Sequence, residues 1–459
     1  MSPADVQSLR RYVDKASADR FFCDRAERIC VADLARGSSL GSGVAALAGR
    51  SVLIAATGQL ASALALIELD GIARRLTILP PDVDDAHIGA LIADAEIDAV
   101  VVDGDGPEAS FDIPLRVAGT PRIAPIAQRP PVRMDTEWLL LTSGTTGVPK
   151  MVVHSLAGLS AAIAPQTQSE TVVWGTFYDI RRYGGLQIFL RAVIGNASLI
   201  LSSAGEPVAD HLLRLARHGV THLSGTPSHW RRALMSPEIG KIAPRYVRLS
   251  GEIADQAILD NLRAAFPQAG IGHAYATTEA GVGFAVNDGL AGFPAAFLDG
   301  VHDGVEIKVV DGALHIRSPG AAGRYIARGS SLRDGDGFVD TGDMVERRGD
   351  RYFFVGRKGG IINIGGLKVH PEEVEAVINR HPQVRMSLVR PKRSPFTGAI
   401  VIADVVLKSA CEGADGEAEV KDDILRLCRG ALPRHKVPAA ISFVPALAVA
   451  ATGKLVRRL

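Results

Sequence analysis

Cysteine is scarce in this chain: four in 459 residues, Cys23, Cys30, Cys411 and Cys428. None stands in C-x-x-C spacing and no secretory context accompanies them, which argues against a disulfide framework and for reduced thiols. An excess of either charge is missing too. Lys plus Arg less Asp plus Glu is 51 − 50, or +1, against the basic face expected of a nucleic-acid binder. No stretch reaches the roughly 18 uninterrupted apolar residues of a membrane span; the best one, from Leu60, is broken by Glu68 and Asp70. The opening MSPADVQSLRRYVDKASADR mixes both charges and has no apolar core, so it is not expected to be a signal peptide. The expected location is cytoplasmic, with neither nucleic acid nor membrane as partner. No G-x-G-x-x-G opens a helix, so nicotinamide chemistry lacks its signature, and no repeat of useful length occurs.

What is present is a globular composition, 47% hydrophobic and 22% charged, in a chain long enough for two or more domains. Residues 1–135 alternate. Strands are expected at Val52–Ala55, Leu76–Leu79 and Asp98–Val102, with helices at Gln59–Ala73 and Ala86–Ala95 between them. Strands separated by helical patterns of 10–15 residues imply parallel βαβ units. The Gly- and Pro-rich stretch 104–135 reads as a connecting segment. Gly37-Ser38-Ser39-Leu40-Gly41 matches the G-x-S-x-G of a hydrolase elbow. It follows what reads as a helix end rather than the strand such an elbow needs, so the match is read as a Gly/Ser turn. The alternation continues to residue 270, with helices at Gly184–Ile194, His211–Arg217 and Asp255–Phe266 and extended stretches at Ala197–Leu201 and Thr221–Leu223. After about residue 295 short strands and glycine turns suggest a smaller β subdomain. Beyond Gly356 lie Pro371–Asn379 (helix), Ile400–Val406 (strand) and Lys421–Cys428 (helix), read as a small α+β domain.

The stretch around which the rest is organised is LLLTSGTTGVPKMVVHS, residues 139–155. An apolar strand breaks into Thr142-Ser143-Gly144-Thr145-Thr146-Gly147, and Lys150 follows after a proline. Glycines let backbone N–H groups approach phosphate oxygens, hydroxyls donate further bonds, and a lysine offsets charge. Pro149 and the β-prone residues after Lys150 separate it from a Walker A loop, which leads into a helix. Farther on, His273-Ala274-Tyr275-Ala276-Thr277-Thr278-Glu279 ends in a hydroxyl beside a carboxylate. Thr278 can bond a phosphate, Glu279 can hold Mg2+, and Tyr275 can offer a flat face to a purine. Each stretch alone also reads as an ordinary loop or strand end.

Together with Ser250-Gly251-Glu252, Thr341-Gly342-Asp343, Gly356-Arg357-Lys358-Gly359-Gly360 and the terminal Ala451-Thr452-Gly453-Lys454, they occur in a family's order. The chain resembles the adenylate-forming superfamily: acyl-CoA synthetases, nonribosomal adenylation domains and firefly luciferase. The implied fold is α/β, with a large multi-subdomain amino-terminal domain of mixed sheets and helices (1–356) and a small α+β carboxyl-terminal domain (357–459) on a hinge. By the same resemblance Thr142, Ser143, Gly144, Thr145, Thr146, Gly147 and Lys150 bind phosphate and Gly251, Glu252 and Tyr275 line the adenine. Asp343 binds ribose, Arg357 contacts the nucleotide, and Lys358 and Gly359 form the hinge. Gly365 and Gly366 admit the thiol arm; Lys454, Thr278 and Glu279 serve catalysis, Glu279 as metal ligand. Three positions depart from the family: Ala276 and Asn363 replace its usual Gly and Lys, and Gly359 replaces Asp or Lys at the pivot.

The implied activity is ATP-dependent conversion of a small carboxylic acid to acyl-AMP, then thioester formation with coenzyme A, with Mg2+ required. A carrier-protein phosphopantetheine as acceptor is the alternative, and a nucleotide-binding regulator without turnover is the alternative of another class. Phe177-Tyr178-Asp179-Ile180-Arg181-Arg182-Tyr183-Gly184-Gly185 aligns with the family's acyl-pocket segment, P-L-F-H followed by glycine, and puts Asp179 where many members carry His. Tyr178, Asp179, Arg181, Gly184, His273 and Ala274 are the expected acyl-pocket residues. A buried carboxylate needs a partner: either Arg181 or Arg182 pairs with Asp179, or one of the three meets a polar group on a compact acid.

Overall fold

The computed structural model describes residues 7–103, 111–142, 149–163, 171–326, 332–364, 367–394, 398–409, 413–449 and 454–456. Its βαβ alternation builds two large sheets. The seven-stranded one runs, edge to edge, Arg324–Tyr325, Lys150–His154, Glu137–Thr142, Arg75–Ile78, Ser51–Ile54, Ala99–Asp103 and Leu115–Gly119. Its last five strands are mutually parallel. The eight-stranded one carries the parallel strands Gly270–Thr277, Tyr246–Ser250, His222–Gly225, Val173–Thr176, Ser198–Ile200 and Phe21–Cys23, with Gly281–Val286 and Arg28–Cys30 antiparallel at its edges. Near-continuous apolar strands such as Ser51–Ile54, buried at every residue, are what a sheet covered on both faces demands.

Helix Gln59–Leu69 is buried along its whole length. That is why Glu68, which interrupts the apolar run in sequence, must be satisfied internally. It accepts hydrogen bonds from Ser38 Oγ, from Ser39 N at 2.7 Å and from Ser39 Oγ at 2.5 Å. The serine of the hydrolase-like pentapeptide is therefore buried and bonded to a structural carboxylate, consistent with a turn and not an elbow.

From residue 293 the chain changes style. A six-stranded sheet runs Phe293–Pro294, Arg351–Arg357, Val339–Arg348, Ala313–Arg317, Val305–Val310 and Val301–His302, with every pairing antiparallel. After it, helices Pro371–Ile378 and Gly413–Ala431 pack on the strands Val384–Ser394, Gly398–Leu407 and Ala440–Phe443, around a core of their own that includes Val374, Val405, Ile424 and Cys428. The molecule is a large mixed α/β unit followed by a small α+β unit.

The alternating elements lie where the residue pattern puts them, within a few residues. One expectation fails: the segment 104–135 contains the strand Leu115–Gly119. Arg116 and Ala118 are exposed and the strand pairs on one side only, so it has no apolar run to betray it. Helix Gly413–Ala431 also starts earlier than its apolar signal at Lys421.

Candidate active site

Strand Tyr246–Ser250 ends at the carboxyl edge of its sheet, the usual place for ligands in an open α/β sheet. Gly251 turns there with φ +86°, a region L side chains rarely adopt. The neighbouring strand Gly270–Thr277 runs into a turn that carries Thr278 and Glu279. The turn is pinned by Ala280 N donating to Thr277 Oγ1 at 2.9 Å and by His154 Nε2 against the Thr278 carbonyl at 2.8 Å. Burial lowers the His154 imidazole to about 4, so the ring is neutral and donates to that carbonyl. The Glu279 carboxylate has no hydrogen-bond or ion-pair partner among the described residues. Among them, too, no group of three or more His, Cys, Asp or Glu could hold a metal alone. A free carboxylate beside a hydroxyl fits a hard cation that shares its ligands with nucleotide phosphates.

Tyr275 and Asp343 meet from separate sheets. The Tyr275 hydroxyl donates to Asp343 Oδ2 at 2.5 Å, and Arg357 Nε donates to Asp343 Oδ1 at 2.7 Å. Burial, then the charge of Asp343, pushes the Tyr275 phenol well above its ordinary value, so it remains a donor. An ionised carboxylate has about four lone-pair sites, so Asp343 keeps acceptor capacity beyond Tyr275 and Arg357. The Tyr275 ring stacks on Phe354 at 4.8 Å and 14°; that aromatic support joins the two sheets and was not visible in the motif.

Lys150 faces Thr142 in register across the hairpin, and its Nζ lies 5.9 Å from the centre of the Tyr325 ring. Ser143, Gly144, Thr145, Thr146 and Gly147 lie outside the described residues, as do Gly365 and Gly366.

Lys454 arrives from the far end of the chain. Its Cε lies 3.5 Å from where a Cβ on Gly251 would stand, so a side chain at 251 would meet it. Lys454 keeps exposed surface. Loss of water around its amine, then the charge of Arg357, lowers its pKa from 10.5, while Glu252 and Asp343 oppose that shift. The carboxylate of Glu252 accepts Ser228 N at 2.8 Å, Ser228 Oγ at 3.0 Å and Leu455 N at 3.1 Å.

Around the segment expected to line the acyl pocket, the Tyr178 hydroxyl donates to the Ser250 carbonyl at 2.7 Å, and Ala274 stands in register with Ser250. Gly184 sits against the Tyr178 ring, where an added Cβ would be 3.7 Å away. Gly185 is needed more strictly, because a Cβ there would come within 2.2 Å of the Asp179 carbonyl oxygen. Asp179 pairs with Arg181 in a two-toothed contact, 2.9 Å from Nε and 2.6 Å from Nη2, and Arg181 Nη1 also donates to the carbonyls of Ala56 and Thr57. Arg182 pairs instead with Asp82. The charged alternatives open in the sequence thus close on one another within the protein. His273 and Ala274, as neighbours on one strand, face opposite sides of the sheet, and the His273 Nε2 is bonded to the Leu290 carbonyl at 3.0 Å.

Residues 48–335 match the family model of the AMP-binding enzyme, and residues 373–454 that of the AMP-binding enzyme C-terminal domain. The chain belongs to the adenylate-forming AMP-binding enzyme family. It is 29% identical over 365 residues to "Probable acyl-activating enzyme 5, peroxisomal" of Arabidopsis thaliana, covering 71% of this chain and 64% of that protein. Against 4-coumarate–CoA ligase of Pinus taeda the identity is 28%, covering 71% of this chain and 65% of the relative. Against acetyl-coenzyme A synthetase 2 of Candida albicans it is 28%, covering 72% and 55%. In each case the match spans less than two thirds of the relative. Among solved structures, the anthranilate CoA ligase AuaEII in complex with anthranoyl-AMP superposes with a TM-score of 0.80 at 16% identity, covering 99% of this chain and 97% of that one. A benzoate CoA ligase from Burkholderia xenovorans gives 0.80 at 20%, covering 98% and 99%. The amide bond synthetase McbA from Marinactinospora thermotolerans gives 0.77 at 19%, covering 97% of each chain. At such identities the likeness is one of fold.

Within this AMP-binding enzyme, sequence reasoning missed the helix Pro227–Ala233 that flanks the site. Thr226 caps it, accepting His229 N at 3.0 Å, while His229 Nδ1 accepts Thr226 N at 3.2 Å. Burial drives the His229 imidazole down to about 3, so it stays neutral between Phe177 and Tyr178, with ring centres 5.7 Å from each. The Thr-Pro pair opening a helix was its signal.

Proposed function

We propose that this chain activates a carboxylic acid with ATP and then passes the acyl group to the thiol of coenzyme A. A carboxylate oxygen forms a bond to the α-phosphorus while the bond to the bridging oxygen of pyrophosphate breaks. The thiol sulfur then bonds the acyl carbon, AMP leaves with the mixed-anhydride electron pair, and the thiol proton passes to solvent. The chemistry needs no protein nucleophile, only in-line positioning and positive charge where negative charge develops.

The observation that carries the proposal is Lys454 laid over Gly251, where its amine feels the charges of Arg357, Glu252 and Asp343. In this reading the Lys454 ammonium donates to the developing oxyanion, the Thr278 hydroxyl to a phosphate oxygen, and Asp343 accepts the ribose. Glu279 would hold Mg2+, which when bound supplies positive charge to the phosphate oxygens. The test is ATP–pyrophosphate exchange over fatty, aryl, dicarboxylic and amino acids, then product analysis with coenzyme A and with a phosphopantetheinylated carrier. Exchange with at least one acid and thioester formation on coenzyme A are expected; no exchange with any of them overturns the reading.

The same proposal places a hinge at Lys358–Gly359, dividing 1–356 from 357–459. Gly359 lies in a short turn with open space around its Cα, and Lys358 donates to Asp340 at 2.7 Å. Gly359→Ala is expected to fold normally and retain most turnover. Gly359→Pro, with φ held near −65°, is expected to impair one half-reaction more than the other. Unchanged two-step turnover in the proline variant would remove the pivot from this residue.

A further inference from the structure

Glu252 sits next to the turn that carries the nucleotide end of the site, yet its carboxylate faces the smaller domain's tail. Two of its hydrogen bonds, from Ser228 N and Ser228 Oγ, tie it to the first turn of helix Pro227–Ala233. The third comes from Leu455 N, 203 residues along the chain and adjacent to Lys454. On its other side the tail is tied back to its own domain: Val449 and Leu455 form an antiparallel bridge, and Val456 N donates to the Ala448 carbonyl at 3.0 Å.

Three residues on, Asp255 repeats the arrangement. Its Oδ1 caps helix Gln256–Ala265 through Ile258 N at 3.0 Å. Its Oδ2 takes Arg231 at 2.5 Å and, from the smaller domain, Asn379 Nδ2 at 3.3 Å. Asn379 is held in turn by Ser387 Oγ at 2.9 Å. Both carboxylates are thus anchored on a helix start of the larger domain and accept a donor from the smaller one.

We propose that Glu252 is the positioning residue for Lys454: its carboxylate grips the tail by the Leu455 amide and so sets the lysine over the reacting phosphate, with Asp255–Asn379 as the second point of the same catch. This rests on the reading of function above. A lysine side chain is a long flexible stem. Its amine reaches one place reliably only if the backbone beside it is fixed, and a charged acceptor on a rigid frame fixes it. Gly359, with no side chain and nothing pressing on it, gives the hinge little preference of its own. Contacts such as these, together with Lys358–Asp340 at the hinge and Arg348–Glu373, then favour the arrangement in which Lys454 arrives.

The experiment compares wild type, Glu252→Ala, Lys454→Ala and the double variant in ATP–pyrophosphate exchange and in thioester formation from supplied acyl-AMP. Exchange kcat should fall on the order of 10- to 100-fold in Glu252→Ala, the range for losing a hydrogen bond to a charged group. The thioester step should stay within about twofold, and the Glu252 effect should vanish once Lys454 is absent. An equal loss with and without Lys454, or a raised KM for ATP at unchanged kcat, overturns the proposal and makes Glu252 a cap or a nucleotide ligand. Leu455→Pro, which deletes the donor and leaves Glu252 and its helix cap intact, should give the same split, so a folding defect in Glu252→Ala cannot shelter the idea. Hydrogen exchange of the tail peptide in the substrate-free protein separates this proposal from the functional one. Faster exchange at Leu455 in Glu252→Ala supports the catch even if no acid is found, and unchanged exchange sinks it.

Discussion

Lys454→Ala is expected to lower ATP–pyrophosphate exchange by on the order of 10²–10³, the usual loss when one preorganised donor to a developing oxyanion is removed. Thioester formation from supplied acyl-AMP should change little, because on the proposed reading Lys454 stands over the phosphate only in the domain arrangement that serves adenylation. The tail is tied down at Glu252 and by its bridge to Val449, so truncating the side chain leaves the backbone in place and the loss can be read as chemistry. The pH profile gives a second readout. The amine must be charged to donate, and its pKa is lowered from 10.5, first by loss of water and then by Arg357. Adenylation should therefore fall with rising pH earlier than for an ordinary lysine, and Lys454→Arg should move that fall to higher pH. Equal losses in both half-reactions, or an unchanged alkaline limb in the arginine variant, would take Lys454 out of the role assigned to it.

The second large effect is on stability. Arg181→Ala strips Asp179 of its two-toothed partner and the Ala56 and Thr57 carbonyls of a shared donor. The side chains of Arg181 and Asp179 are only 3% and 13% exposed, so the carboxylate cannot recover water in place. Breaking such a pair from one side costs about 3–5 kcal/mol, read here as a lower urea midpoint for the transition of the larger domain. Removing both charges in Asp179→Ala/Arg181→Ala should cost less than Arg181→Ala alone, since no buried charge is left unpaired. A single variant no worse than the double would mean the pair is solvated in solution. For substrate choice the same geometry predicts that Asp179→Asn weakens amine-bearing and plain acids alike. A selective loss of the amine-bearing series would show that the pair opens to meet substrate.

Much of this protein is legible in one dimension because its signals are local. A mostly apolar run of only 4 or 6 residues between turns is long enough for a covered strand and too short for an ordinary helix, so Ser51–Ile54 and Glu137–Thr142 stand out. The glycine demanded by φ +70° at Gly342 marks a turn before the carboxylate of Asp343. The motif order from Thr142 to Lys454 carried the family, and the shift from helix–strand alternation to short antiparallel strands near residue 295 carried the change of architecture. The edge strand Leu115–Gly119 escaped because a strand paired on one side, with its alternate residues in water, needs no apolar pattern.

Partnership was what the sequence left open. Asp179 had two possible partners within three residues of sequence, Arg181 and Arg182; Arg181 forks back onto it while reaching two carbonyls, and Arg182 is drawn off to Asp82. His273 and Ala274 are neighbours in sequence but stand on opposite faces of one strand. Nothing in the sequence around Glu252 shows that the fold brings Ser228 and Leu455 against it. Composition and periodicity record what each residue prefers, and those preferences act over a few positions. Which charge meets which, across up to 203 residues of chain, is decided only when burial removes water and leaves each polar group to find its partner within the protein.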